Sequence, residues 1–355
     1  MRIVNIRLTI SNVEQEVLGM DTEIFRTVLP LMNSAFQPGT AQETVEKIED
    51  EVQRKIAQAE LFYFSGRAEE CKDIVELLIM HEDWSVRLSA YILYGYANLT
   101  LGNARAARMS FVSIRKYMKE ILEKEQSEKL QAACVFVNYI GAVLLHLPSD
   151  GLPPLQEYSR NLPAGLRTYA VYVMAHDAYL KGDYERSLGL CEAALMALDA
   201  EYPICMIYLY CMISMCQINL KRQEKAKETL LHAWEIAKPD ELIEAFIEHH
   251  GLLQGLIESC LKKNEPEAYK KISASVIAFS RGWMKIHNPV AQASVTDELS
   301  PMEFSIAMLA CRNWSNQEIA NYLGLSINTI KHYISNILSI LQITKREEII
   351  QYVLR

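Results

Sequence analysis

Apolar and polar residues alternate with a helical period along residues 327–341. Ile330, Ile334, Ile337, Leu338 and Leu341 recur at three- and four-residue spacing, the buried stripe of a helix starting at Ile327. Its other face carries Asn328, Thr329, Lys331, His332, Ser335 and Asn336, short polar groups with one cation. A shorter helix, 316–323, ends at Gly324, and Ser326 stands ready to cap the longer one. Ser300-Pro301-Met302-Glu303, Ser315-Asn316-Gln317-Glu318 and Thr344-Lys345-Arg346-Glu347 each read as a capping box. The spacing predicts four helical segments. The second and third form a helix-turn-helix, an arrangement whose second helix enters the DNA major groove.

Upstream the pattern repeats. Gly66, Gly102, Gly182 and Lys221 each sit between two helical runs, 36, 80 and 39 residues apart. The gap of 80 holds two units, which places a divergent one around 139–158. Small residues such as Gly95, Ala107 and Ala226 let helices cross closely, and large ones such as Tyr96, Phe111 and Leu230 fill the space to the next unit. These signals predict paired antiparallel helices with a period near 36–40. Residues 1–9 alternate weakly like a strand, 10–32 suit a helix, Gln37-Pro38-Gly39-Thr40 is a turn, and Thr40 caps the next helix. The stretch 288–298 is polar and aperiodic and reads as a hinge.

Charge sharpens the division. The chain carries −8 overall, but residues 300–355 hold five cations and four anions, leaving −9 on the larger part. That part repels DNA, and the C-terminal module at +1 needs a second copy on a two-fold site to bind well. No stretch is long, apolar and uncharged enough to span a membrane; 204–220 comes nearest and runs into charged helix. The N-terminus lacks a signal-peptide pattern, so a cytoplasmic protein is expected. Eight cysteines without CxxC spacing read as small buried hydrophobes in a reducing compartment. His249-His250 is the one adjacent histidine pair, and neighbours in a helix point different ways. No nucleophile elbow, phosphate loop or ligand cluster accompanies them, so no catalytic residue, metal or cofactor is expected.

At Leu299, Glu303, Leu309, Ser315-Asn316-x-Glu318-Ile319-Ala320, Leu323, Ser326, Thr329, Ile330, Lys331, Ser335, Ile337 and Leu341 the chain resembles the LuxR-type (GerE-type) DNA-binding domain. The resemblance implies DNA contacts from Lys331, His332, Ser335, Thr329, Asn328, Ser315, Gln317, Lys345 and Arg346. It also implies a dimerisation helix with an apolar edge of Ile349, Ile350, Val353 and Leu354. Met302, Ser305, Asn313 and Tyr333 stand where the family usually has a basic residue, a Glu, a Gly and a His. The upstream units resemble tetratricopeptide repeats, with Lys181 to Leu195 the nearest match. The order resembles the C-terminal half of MalT-like LuxR regulators, with 242–283 as last repeat and exit helix. Their ATPase module has no counterpart here, because no GxxxxGK[ST] sequence occurs.

The expected fold is therefore all-α: a TPR-like helical-repeat solenoid followed by a four-helix LuxR-type helix-turn-helix domain. The segments are an N-terminal stretch of unclear structure (1–45), a repeat sensor or interaction domain (46–287), a linker (288–298) and the DNA-binding domain (299–355). The function expected is a transcription regulator that binds promoter DNA as a homodimer and senses a small-molecule, peptide or protein effector. Groove candidates are Tyr91, Tyr94, Asn98, Tyr172, His176 and Tyr208, on first helices of the units. The alternative is a protein-interaction adaptor whose C-terminal domain serves dimerisation or docking.

Overall fold

A computed structural model describes residues 26–124, 127–287, 299–311 and 314–353. The expected strand 1–9, most of the expected helix 10–32, the linker 288–298, Asn313 and Leu354 lie outside the described residues, as does the side chain of Val353. All regular structure among the described residues is helical.

After a short α1 (Ala41–Glu46) the chain forms successive hairpins. They are α2 (Glu51–Phe64) with α3 (Ala68–Glu76), α4 (Trp84–Thr100) with α5 (Ala104–Lys124), and α6 (Glu128–Leu144) with the short α7 (Leu155–Ser159). Next come α8 (Ala164–Leu180) with α9 (Tyr184–Met196), then α10 (Pro203–Asn219) with α11 (Gln223–Ala237). Side chains of Asp50, Asp83, Ser127 and Asp183 accept first-turn N–H groups and start α2, α4, α6 and α9. The pair α6–α7 is the divergent unit, its second helix cut to five residues.

The four predicted hairpin turns share one backbone geometry. Gly66, Gly102, Gly182 and Lys221 all sit at positive φ, between 60° and 79°. After each, the next residue donates to the carbonyl five positions back, as in Arg67 to Phe62 and Arg222 to Gln217, both 2.8 Å. This left-handed helix end satisfies orphan carbonyls and turns the chain sharply. Lys221 adopts it without glycine's freedom.

The last unit is broken into α12 (Glu244–Glu248), α13 (His250–Leu253) and α14 (Leu256–Leu261), the final break made by left-handed Gln254 and Gly255. The long α15 (Pro266–His287) follows and runs back across α4 and α5. The inner helices α2, α4, α6, α8, α10 and α12 each pack on the next, and α12 packs on α2 again. The hydroxyl of Tyr63 donates to Glu248 Oε1 at 2.5 Å across that seam, and Gly39 and Ala41 donate to Asp240 beside it. The helical region closes on itself.

Closure corrects the expected groove. Tyr91, Asn98, Tyr172, His176 and Tyr208 are buried and Tyr94 half-buried. Tyr63, Tyr96, Tyr169, Tyr172 and Tyr208 meet with Phe64 in the centre, ring on ring at 4.8–6.2 Å. Asn98 is committed locally, donating to the Tyr94 carbonyl at 2.9 Å and accepting from Asn103 at 3.1 Å. The expected helix 10–32 fails where it can be seen. Residues 28–33 are bends and turns, because Pro30 and left-handed Leu29 break any helix there. Thr40 turns its hydroxyl to the Gln37 carbonyl at 2.8 Å instead of capping α1.

Candidate nucleic-acid interface

Three α-helices, a 3-10 turn and a last short helix make the C-terminal domain: α16 (Pro301–Cys311), α17 (Asn316–Leu323), α18 (Ile327–Ile340), the turn Arg346–Ile349 and α19 (Ile350–Val353). Two expected capping boxes form as read. Ser300 and Glu303 exchange backbone bonds at 2.9 and 3.3 Å, and Ser315 and Glu318 at 2.7 and 3.2 Å. The third forms one residue on: Glu348, not Glu347, accepts from the Thr344 and Lys345 amides.

Gly324 closes α17 at φ 66°, and Ser326 accepts from the Thr329 amide at 3.1 Å to open α18. Ile330, Ile334, Ile337 and Leu341 are buried against α16 and α17, with Leu338 partly so. Asn328, Lys331, His332 and Ser335 are exposed on the other face, and Thr329 is half-exposed beside its bond to Ser326. Ser315 and Gln317 at the start of α17 are exposed, as is Lys345. A helix of this build presents short hydrogen-bonding groups and one cation at the depth a major groove requires.

Arg346 sits differently. Its guanidinium donates to the Trp314 carbonyl and to Asn316 Oδ1, tying the 3-10 turn to the start of α17. Burial holds it below its usual range. Along the final segment Ile349 is fully buried in its own domain, while Ile350 and Tyr352 are exposed. The departing residues Met302 and Tyr333 are half-buried, and Ser305 is buried.

The domain rests on the closed array. The Phe304 ring occupies the place a Cβ on Gly251 would take, and Leu323 Cδ2 lies 2.5 Å from that of Gly255. Lys221 Nζ stands 3.7 Å from Glu318, and Lys227 Nζ lies 5.8 Å over the Tyr322 ring, which is buried. These docking residues escaped the sequence reading. The available signal was Gly251 and Gly255, four residues apart, where bulk would hold a second layer of helices away.

Beneath the contact, His249 and His250 do point apart. His249 Nδ1 donates to the Ala245 carbonyl at 2.7 Å, so its Nε2 accepts from the Tyr172 hydroxyl at 2.6 Å in the array's interior. His250 instead meets Glu258 at 2.9 Å under the C-terminal domain. Among the described residues no group of three or more His, Cys, Asp or Glu is placed to hold a metal, and none of the eight cysteines is joined in a disulfide. No helix among them is long and apolar enough to cross a membrane.

Capped short helix, left-handed turn and longer helix with an outward polar face together define a helix-turn-helix module. Residues 297–353 match the family described as bacterial regulatory proteins, luxR family, so this module is a LuxR-type helix-turn-helix domain. Two similar curated proteins are response regulators named VraR. The one from Staphylococcus aureus (strain Mu3 / ATCC 700698) is 29% identical over 104 residues, 29% of this chain and 50% of that protein. The one from Staphylococcus saprophyticus is 36% identical over 70 residues, 19% and 34% of the two chains. The chain spans half or less of the length of these relatives. No solved structure matches it.

Proposed function

We propose that the protein is a sequence-specific, DNA-binding transcription regulator of the cytoplasm. In this reading α18 enters the major groove, Lys331, His332 and Ser335 meet bases and phosphates, and Ser315, Gln317 and Lys345 hold the flanking backbone. The observation that carries it is the outward polar face of α18, opposite an isoleucine stripe, within a LuxR-type domain. The dimer edge rests on exposed Ile350 and Tyr352 with Val353 and Leu354, since Ile349 packs inward. Residues 46–287 act as the sensor, in TPR-like units, and 299–355 as the reader. The switch is a change in how the array holds the docked reader. The relatives' name, response regulator, fits a signal-controlled reader. The described residues contain no strand, so no strand-helix phosphoreceiver lies among them.

A second reading, an adaptor whose C-terminal domain serves docking, draws on the thin charge. With Arg346 turned inward, Lys331 and Lys345 are the exposed cations among the domain's described residues. One experiment separates the two. Full-length protein and its Lys331→Ala variant are each mixed with sheared genomic DNA, and bound fragments are sequenced at several salt concentrations. The regulator enriches a few inverted-repeat sites, and the variant loses them with a salt slope reduced by about 1. Equal binding, or no enrichment by either, with or without cell extract as a source of effector, overturns the regulator in favour of the adaptor.

A further inference from the structure

Residues 26–36 run without helix or strand along the inner helices of the closed array, with 28–32 and 36 buried, Arg26, Thr27, Asn33 and Ser34 half-buried and Ala35 exposed. Val28, Leu29, Leu31, Met32 and Phe36 are all buried. Such backbone normally stays at a surface, because its N–H and C=O groups need partners. Here the partners are side chains on inner helices far away in the sequence. Gln53 on α2 accepts from the Thr27 amide at 3.0 Å, and Ser89 on α4 from the Leu29 amide at 3.0 Å. Glu60 on α2 accepts from two consecutive amides, Leu31 at 2.9 Å and Met32 at 3.0 Å. The backbone carbonyl of Glu201 accepts from the Phe36 amide at 3.0 Å. The start of α8 answers in kind: the Leu166 amide donates to Asn33 Oδ1 at 2.8 Å. Gly165 completes the fit, for a Cβ there would run into the Met32 carbonyl. At the mouth, Arg26 bridges Asp50 at 3.1 Å and Asp83 at 3.3 Å.

These are the contacts by which a receptor reads a peptide: main-chain amides met by fixed side-chain acceptors, buried apolar side chains, and a charge at one end. Glu60 weighs most. Burying a carboxylate is costly unless its oxygens are satisfied, and this one is wholly buried with two amides of the segment as its partners. An empty interior would leave it unpaired. The array is therefore built around a bent peptide, and what replaces that peptide must offer the same consecutive amides.

We propose that the interior of the closed array is a peptide-binding site occupied in cis by residues 26–36, and that the effector class it accepts is a short apolar peptide carrying the same bend. The inference names the ligand class for the sensor reading above, on which it rests for its biological use. Its test does not involve DNA.

A site-specific protease sequence is inserted between Pro38 and Gly39 of the full chain, in the turn that follows the segment, and the uncut insertion protein serves as the helicity reference because the Gly39 amide is bonded to Asp240 there. The protein is cut, and fluorescent synthetic peptide 26–36 is titrated in while circular dichroism follows the helices. Expected is saturable exchange of the N-terminal fragment for the peptide, one per chain, with helicity retained and a scrambled peptide inert. Glu60→Gln should weaken the exchange about tenfold and Ser89→Ala about fivefold, each by removing an acceptor for one amide. If Glu60→Gln does not fold, Ser89→Ala carries the comparison. Loss of helicity as the fragment leaves, no exchange at any peptide concentration, or equal binding of the scrambled peptide overturns the proposal. Exchange without DNA enrichment sinks only the regulator, and enrichment without exchange sinks only the peptide site.

Discussion

Arg346 and Lys345 are adjacent cations with opposite fates. Nothing local separates them: both follow Thr344 in a polar stretch. What decides is the Trp314 carbonyl, 32 residues earlier, which captures one guanidinium and leaves the lysine free. Arg346→Ala should cost about 1–3 kcal/mol of stability by leaving that carbonyl and Asn316 unpaired. Lys345→Ala should leave the melting temperature unchanged and lower DNA affinity. Melting curves and DNA titrations of the two variants check the split. The capping serines, by contrast, could be read directly, because Ser and Glu three residues apart complete their bonds without help from elsewhere.

The interior's titrating groups make a further residue-scale prediction. Burial pushes Glu60 up to about 8, against the two amides that favour its charge, and raises Glu244 and Glu248 as well. Burial lowers His249 to about 4 and lowers His176 too. A carboxylate raised on folding keeps its proton longer in the folded state, so it withdraws stability as pH climbs from its unfolded to its folded value. The histidines do the reverse, adding stability up to their unfolded pKa of about 6.5. Above that point only the carboxylates act. The thermal midpoint should therefore fall between pH 6.5 and 8, with Glu60 alone accounting for about 1.5–2 kcal/mol. Glu60→Gln should flatten the fall in a series of melts, and a midpoint still rising through that window would contradict the assignment.

At the scale of the element, the hairpin turns were the most legible feature, since a left-handed residue leaves its mark as glycine wherever one is available. Gly66, Gly102 and Gly182 announce themselves, and Lys221 was found by spacing alone. Its positive φ costs what a glycine would not. Lys221→Gly should stabilise the chain by about 1 kcal/mol, read from chemical denaturation, even though it removes the exposed ion pair to Glu318. Residues 28–33 were misread for the opposite reason. Their apolar content suits a helix, but Pro30 sits among them, and a local breaker should have outweighed the pattern. The broken stretch from α12 to α14 gave no such warning beyond Gly251 and Gly255.

At the scale of the whole molecule, the same broken stretch faces two ways. His249 looks into the aromatic interior and His250 lies beneath the LuxR-type domain, so α12–α14 touch both the helical array and that domain. Gly251→Val should push Phe304 away and free the LuxR-type domain. Small-angle scattering should then show a larger radius of gyration while the array melts where it did before; an unchanged radius would mean that the docking does not depend on this contact. None of this was visible in the sequence, because Tyr63 and Glu248 meet across 185 positions and no periodicity records such a pairing.

That meeting also limits how the gene can change. A row of helix pairs with free ends can gain or lose a pair by duplication or deletion, since each pair touches only its neighbours. Here a seventh inner helix would drive α12 from α2 and leave Glu248 without Tyr63, and a missing one would leave the seam unspanned. The copy number is locked. Changes in length are expected instead in outer connections such as 145–154, the proline-containing loop before the five-residue α7.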